Sequence, residues 1–296
     1  MLKKDNMNKK KFISRIVIGS ANFMQKYGAH LTKVNLKENK KIINLAKRNN
    51  IYEIDTAKAY LSNKNFFKNF EKRFKFTTKV IPNSRWISFE YCQSQLMDHL
   101  KNFNDNAVDT LLLHDYKILF SNNGRKVFNN LLQLKKKKFF KKIGISIYET
   151  NHLSFLLSNY NIDVVQFPYN VIDKRIIISG WYDKLKNLGI ETHARSIFLQ
   201  GLLVNKSIFK KKYFNKWQNF FYKWFDNLEK NDISGIDYCI SDLLNYDFDK
   251  IIIGINNSKN LKQILNFKNI NKNKMINLNI NDKKLIDPRN WKLNEN

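Results

Sequence analysis

This chain predicts an α/β fold: a closed (β/α)8 barrel of the TIM type, in a single domain. Three observations carry that prediction. Short apolar runs alternate with segments of helical period, and eight such pairs can be counted along 296 residues. Strands separated by helices pair in parallel through right-handed crossovers. No glycine turn of the G-x-G-x-x-G kind follows the first apolar run, which argues against an open dinucleotide-binding sheet. A closed eight-unit sheet gathers all strand carboxyl ends on one rim, the face that carries the chemistry of such barrels.

Residues 1–14 are lysine-rich and read as a solvated arm, with the barrel occupying 15–296. The first strand is 15–20, ending in the small residues Gly19 and Ser20. A helix over 36–49 follows from Ile42, Ile43, Leu45 and Ala46 set among lysines. Next come a strand ending at Asp55, a short helix over 65–70 and a strand ending near Lys79. Ser88 is placed to cap a helix over 88–100. Further pairs are a strand over 110–114 with a helix over 127–134, and a strand over 142–146 with a helix over 153–157. Then come a strand over 163–168 and a helix over 177–188 closed by Gly189, a usual C-terminal cap. A strand over 190–195 leads into an insertion reaching about residue 230, and a helix over 233–244 follows it. The last pair is a strand over 250–254 and a helix over 258–265.

Composition narrows the function. With 53 basic and 25 acidic residues the net charge is +28, which would suit a polyanion binder. The lysines, however, are spread along the whole chain and arginine is rare, whereas phosphate and groove readers concentrate arginine. Abundant Lys, Asn, Ile and Phe beside only 9 Gly and 3 Pro fit compositional drift. No specific nucleic-acid partner is therefore expected. No apolar run reaches the roughly 18 residues of a spanning helix, so no membrane partner is expected either. Cys92 and Cys239 are far apart in sequence, and neither they nor the histidines have metal-ligand spacing. The expectation is a cytoplasmic protein without a metal. Oligomeric state leaves no mark in the sequence. Residues 208–228 interleave lysine with aromatics, but Tyr213, Trp217, Phe220, Phe221, Trp224, Phe225 and Leu228 make one stripe, read here as packed on the barrel.

Four titratable residues sit at predicted strand ends or the turn after one. Asp55 closes the second strand and Tyr60 follows on its turn; Lys79 and His114 close the third and fourth. An acid, a phenol, an amine and an imidazole at one mouth suit proton transfer. A free phenol, with pKa about 10, is a poor acid at neutral pH, and a nearby ammonium favours the phenolate.

Asp55-Thr56-Ala57-x-x-Tyr60 and the strand ends at Lys79 and His114 resemble the catalytic tetrad of the aldo-keto reductases. The resemblance extends to Ile143–Ser146, Val164–Asn170 and Ile252–Asn256, while residues 189–203 look like one bacterial subgroup of that family. It implies NAD(P)H-dependent reduction of an aldehyde or ketone, or the reverse, on a small-molecule substrate. Tyr60 would then be the proton donor, tuned by Lys79 and Asp55, with His114 orienting the carbonyl. It also implies cofactor contacts at Gly19, Ser20, Ser146, Gln166, Arg195, Ser196, Gly254, Asn256, Asn257, Lys259 and Gln263. NADPH is the expected cofactor, with Lys259 as the cation at its 2′-phosphate and NADH as the alternative. The aromatic residues Phe23, Tyr27, Trp86 and Tyr116 are expected to wall the substrate pocket. Two positions depart from the family pattern: Leu61 stands where glycine is usual, and Ile147 where asparagine is frequent. Two other readings compete: a basic barrel that binds nucleic acid, and a nucleotide-sensing barrel without turnover.

Overall fold

The computed structural model describes residues 2–24, 35–61, 66–104, 108–270, 278 and 280–293. Eight strands among them are β1 (Ile16–Gly19), β2 (Glu53–Asp55), β3 (Lys75–Val80), β4 (Val108–Leu113), β5 (Lys142–Ser146), β6 (Val164–Pro168), β7 (Glu191–Arg195) and β8 (Lys250–Gly254). They close into one barrel in sequence order, every pair parallel. The seam joins the first strand to the last, with Ile16 opposite Ile251 and Gly19 opposite Gly254. Isoleucine, valine and leucine dominate the strands because a parallel sheet is covered on both faces.

The helices are α1 (Leu2–Ile13), α2 (Ala21–Met24), α3 (Leu36–Arg48), α4 (Phe89–Leu100), α5 (Gly124–Lys136), α6 (Leu153–Asn159), α7 (Arg175–Ile178) and α8 (Trp181–Asn187). They continue with α9 (Lys206–Phe209), α10 (Gln218–Lys230), α11 (Gly235–Leu243), α12 (Ser258–Leu265) and α13 (Lys283–Ile286). Ser88 caps α4 as its position predicts, its side chain accepting from the Tyr91 N–H. β5 and β6 approach so closely that a Cβ on Gly144 would lie 2.2 Å from the Val164 carbonyl oxygen. Only glycine fits there.

Three expectations change. The solvated arm is helix α1: Phe12 is fully buried, its ring 5.0 Å from that of Phe267, and Arg15 donates to Asp247 and to the Phe248 carbonyl. Phe12, with Ile13 packed against the same core, docks a lysine-rich run. The helix over 177–188 is split into α7 and α8 by Gly180, whose φ of +71° stops one helix and starts the next. Residues 66–69 form turns in place of a helix, and residue 65 lies outside the described residues.

The aromatic stripe of the insertion packs inward. Phe221, Trp224, Phe225 and Leu228 of α10 are buried in a second apolar cluster with Phe214, Tyr238, Leu285 and Ile286. The chain after β8 thus folds back over the insertion. Among the described residues no helix is long and apolar enough to cross a membrane.

Candidate active site

The second and third strands set the centre. β2 and β3 pair with Asp55 opposite Thr77, so the carboxylate of Asp55 and the amine of Lys79 emerge at the same rim. Both are buried, 5 % and 3 % exposed, and they form an ion pair; Lys79 Nζ also donates to the Thr56 carbonyl at 3.1 Å. The second carboxylate oxygen of Asp55 accepts from Gln166 Nε2 at 2.8 Å, and Ser146 Oγ donates to Gln166 Oε1 at 3.3 Å. A chain of polar contacts therefore crosses the barrel from β3 to β5. Burial lowers the Lys79 pKa, the Asp55 carboxylate raises it, and Arg195 lowers it further.

Tyr60 lies on the short 3₁₀ turn Lys58–Tyr60 directly after β2, so the turn carries the phenol back over the rim. Its ring stands edge-on to His114, centroids 6.1 Å apart. The His114 N–H closes the end of β4 by donating to the Val80 carbonyl at 2.8 Å. Burial, then Lys79 and Arg195, lower the His114 pKa to about 4, so the imidazole is neutral at neutral pH.

These four side chains share a cavity of about 890 Å³ with most of the positions expected to touch a cofactor. Gly19, Ser146, Gln166, Arg195, Ser196, Gly254, Asn256, Asn257 and Gln263 line it. Ser20 does not: it is fully buried behind the wall, where its hydroxyl donates to the Asp55 carbonyl. Lys259 points to solvent and is off the wall. The aromatic wall also fails to form as expected. Phe23 and Trp86 belong to the apolar core, and Tyr116 Oη pairs with His152 Nδ1 at 3.2 Å outside the cavity. Phe23 is on the buried face of the short helix α2, and Trp86 sits under α5, where Asn130 donates to its carbonyl. Tyr27 lies outside the described residues.

Several lining residues were not singled out from the sequence. Tyr148 lies under the Arg195 guanidinium, 4.1 Å from its carbon, while Arg289 sits 3.4 Å from the same ring. The loop after β7 adds Phe198, Gln200, Gly201 and Asn205. Its backbone is left-handed at Ser196, Leu199, Gln200 and Gly201, and only the last is a glycine a reader could flag. Ser234, Gly235 and Ile236, the first turn of α11, border the cavity too. At α12 the Ser258 N–H and hydroxyl both donate to Glu38 Oε1, at 2.7 and 2.6 Å. Glu38 lies 220 residues away on α3, and no local pattern links the two.

A closed parallel barrel with a buried amine–carboxylate pair, a phenol and a neutral imidazole around one rim cavity has the frame of a barrel oxidoreductase. The sequence matches the model of the aldo/keto reductase family over residues 15–283, and the chain belongs to that family. No curated protein matches the sequence itself. Among solved structures, an aldo-keto reductase of Bacillus halodurans in its holo form superposes with a TM-score of 0.67 at 17 % identity, covering 88 % of this chain and 89 % of that one. The glycerol dehydrogenase of Gluconobacter oxydans gives 0.63 at 15 % identity and 88 % of each chain. A silkworm (Bombyx mori) aldo-keto reductase gives 0.63 at 14 % identity, covering 88 % and 81 %. At such identities these likenesses speak for the fold. Family membership makes the chain an NAD(P)H-dependent oxidoreductase acting on small-molecule carbonyl compounds.

Proposed function

We propose that Tyr60, Lys79, Asp55 and His114 carry the reaction, with Tyr60 giving the proton to the carbonyl oxygen. The observation that supports this most directly is their meeting at one cavity wall, with Lys79 and Asp55 buried as a pair. A neutral His114 keeps an N–H to offer the substrate oxygen without bringing a competing charge. Lys79, held by Asp55, stabilises the phenolate that Tyr60 leaves behind. Gln166 holds the other oxygen of Asp55 and so fixes the carboxylate.

The donors around the cavity fit a nicotinamide dinucleotide. Ser146, Gln166 and Arg195 offer a hydroxyl, an amide and a planar cation beside the tetrad, and the first turns of α11 and α12 offer helix N-termini. The reduced nicotinamide, when bound, supplies the hydride. One amide N–H of Gln166 is committed to Asp55, so a carboxamide would use what that side chain has left. Lys259, the expected cation for a 2′-phosphate, lies off the wall, and the cations that line the cavity are Lys79, Arg195 and Lys206.

The test is Tyr60→Phe, which keeps the ring. Carbonyl reduction should fall by roughly 10²–10⁴-fold while nucleotide still quenches tryptophan fluorescence. Turnover left intact would mean that another group supplies the proton. No specific nucleic-acid partner is proposed: several lysines of the basic surface are paired, Lys135 with Asp163 and Lys142 with Glu191. Two buried free thiols, Cys92 and Cys239, agree with a reducing cytoplasmic setting.

A further inference from the structure

We propose that Gln166 is a positioning residue of the proton-transfer centre, bracing the Asp55 carboxylate from the opposite wall of the barrel and so fixing the Lys79 amine that tunes Tyr60. The inference rests on the reading above, that these residues carry the reaction.

In a closed sheet of eight strands, β2 and β6 stand four strands apart in either direction, on opposite sides of the barrel. No backbone ladder joins them. Gln166 on β6 nonetheless donates from Nε2 to Asp55 Oδ2 on β2 at 2.8 Å. Gln166 is fully buried, and Ser146, its register partner on β5, donates to its Oε1 at 3.3 Å. The carboxylate dictates how the amide is turned. It only accepts, so it must face the NH2 end; reversed, the amide would set oxygen against oxygen. Asp55 is thus gripped at both oxygens, Oδ1 by Lys79 and Oδ2 by Gln166. Among the described residues no other side chain is recorded on Oδ2. The last torsion of an aspartate is broad, so without the amide the carboxylate can swing.

What moves Asp55 moves the charge beside Tyr60. Lys79 is buried, which lowers its pKa, and the Asp55 carboxylate opposes that shift. A displaced carboxylate holds the ammonium less well, and the ammonium is what eases the proton from the phenol. The other titratable or charged groups around the amide are Tyr60 after β2, His114 on the loop after β4, and Arg195 and His193 on β7, the last being its register partner. From β1, β5 and β8 the cavity wall receives only the uncharged Gly19, Ser146, Ile252 and Gly254.

Two variants separate positioning from mere support of the barrel. Gln166→Met keeps most of the volume and removes the donor. Gln166→Glu keeps the shape and donates to Asp55 only while protonated. Two adjacent carboxyls share a proton, so the introduced one ionises at higher pH than usual. The full chain is assayed with benzaldehyde and glyceraldehyde, using NADH and NADPH, across pH. In Gln166→Met, kcat should fall about tenfold to a hundredfold, as for one lost hydrogen bond to a charged group. Nucleotide affinity, read by tryptophan fluorescence, should stay within a few fold. Gln166→Glu should approach wild-type kcat at mildly acid pH and lose it as the introduced carboxyl ionises. The wild type carries the same histidines, so the difference between the two profiles belongs to that carboxyl.

A second readout needs neither nucleotide nor aldehyde. In urea, nucleotide-free Gln166→Glu should lose stability relative to wild type as pH rises through the raised pKa of its new carboxyl. Should Gln166→Met not fold, the two profiles of Gln166→Glu decide alone. Gln166→Met that keeps kcat but binds nucleotide tenfold more weakly makes Gln166 a nucleotide contact only and overturns the proposal. So does Gln166→Glu running parallel to wild type in kcat or in unfolding. If the wild type reduces neither aldehyde, the catalytic reading fails and takes this one with it; a pH-dependent loss of stability would then mark a brace and nothing more.

Discussion

Lys79 keeps its partner in a place where burial works against charge. Breaking such a pair costs several kcal/mol, which is why an amine and a carboxylate survive at the rim only together. Two histidines set a different constraint. His99 is 1 % exposed, its Nε2 2.8 Å from Thr78 Oγ1, and burial followed by the charge of Lys58 lowers its pKa to about 4. His114 is lowered to a similar value. Below the usual imidazole pKa the unfolded chain takes up protons that the folded chain refuses, so stability falls as the pH drops from about 6.5 towards 4. For His99 alone the loss should be on the order of 3 kcal/mol at the acid end. Urea unfolding at several pH values should show this slope in the wild type and a shallower one in His99→Gln. An unchanged slope would mean that His99 is protonated in the fold.

At the scale of elements, the segment after β8 reaches back to the cavity wall at Tyr148. Arg289, paired with Asp287, lies on the Tyr148 ring that also carries Arg195. The two guanidinium contacts, at 4.1 and 3.4 Å from the ring centroid, clamp Tyr148. A cation–π contact this exposed is worth about 0.5–1 kcal/mol. Arg289→Ala should therefore weaken nucleotide binding about two- to fivefold, as measured by titration, with single-turnover hydride transfer little changed. This clamp could not be read from the sequence, because residues 148, 195 and 289 share no local pattern. The tetrad could, because each member ends a strand or opens the turn after one, and parallel strands bring such ends together. The aromatic wall failed for the opposite reason. Phe23 and Trp86 look identical in sequence whether they line a pocket or fill a core. Gly180 was readable as a breaker, and the uninterrupted apolar spacing around it concealed the break.

Over the whole molecule, the +28 charge comes from lysines spread along the entire chain. Binding to duplex oligonucleotide should be measurable at low salt and vanish near about 0.15 M, without sequence preference. Micromolar binding that persists at that salt would show a built nucleic-acid surface.

The seam between β1 and β8 joins residues more than two hundred positions apart along the chain. A nascent polypeptide leaving the ribosome therefore carries the unpaired edge of β1 until almost everything has been translated. Closure of the ring is a late event, and synthesis that stalls before β8 emerges would leave two sticky flanks open to other molecules.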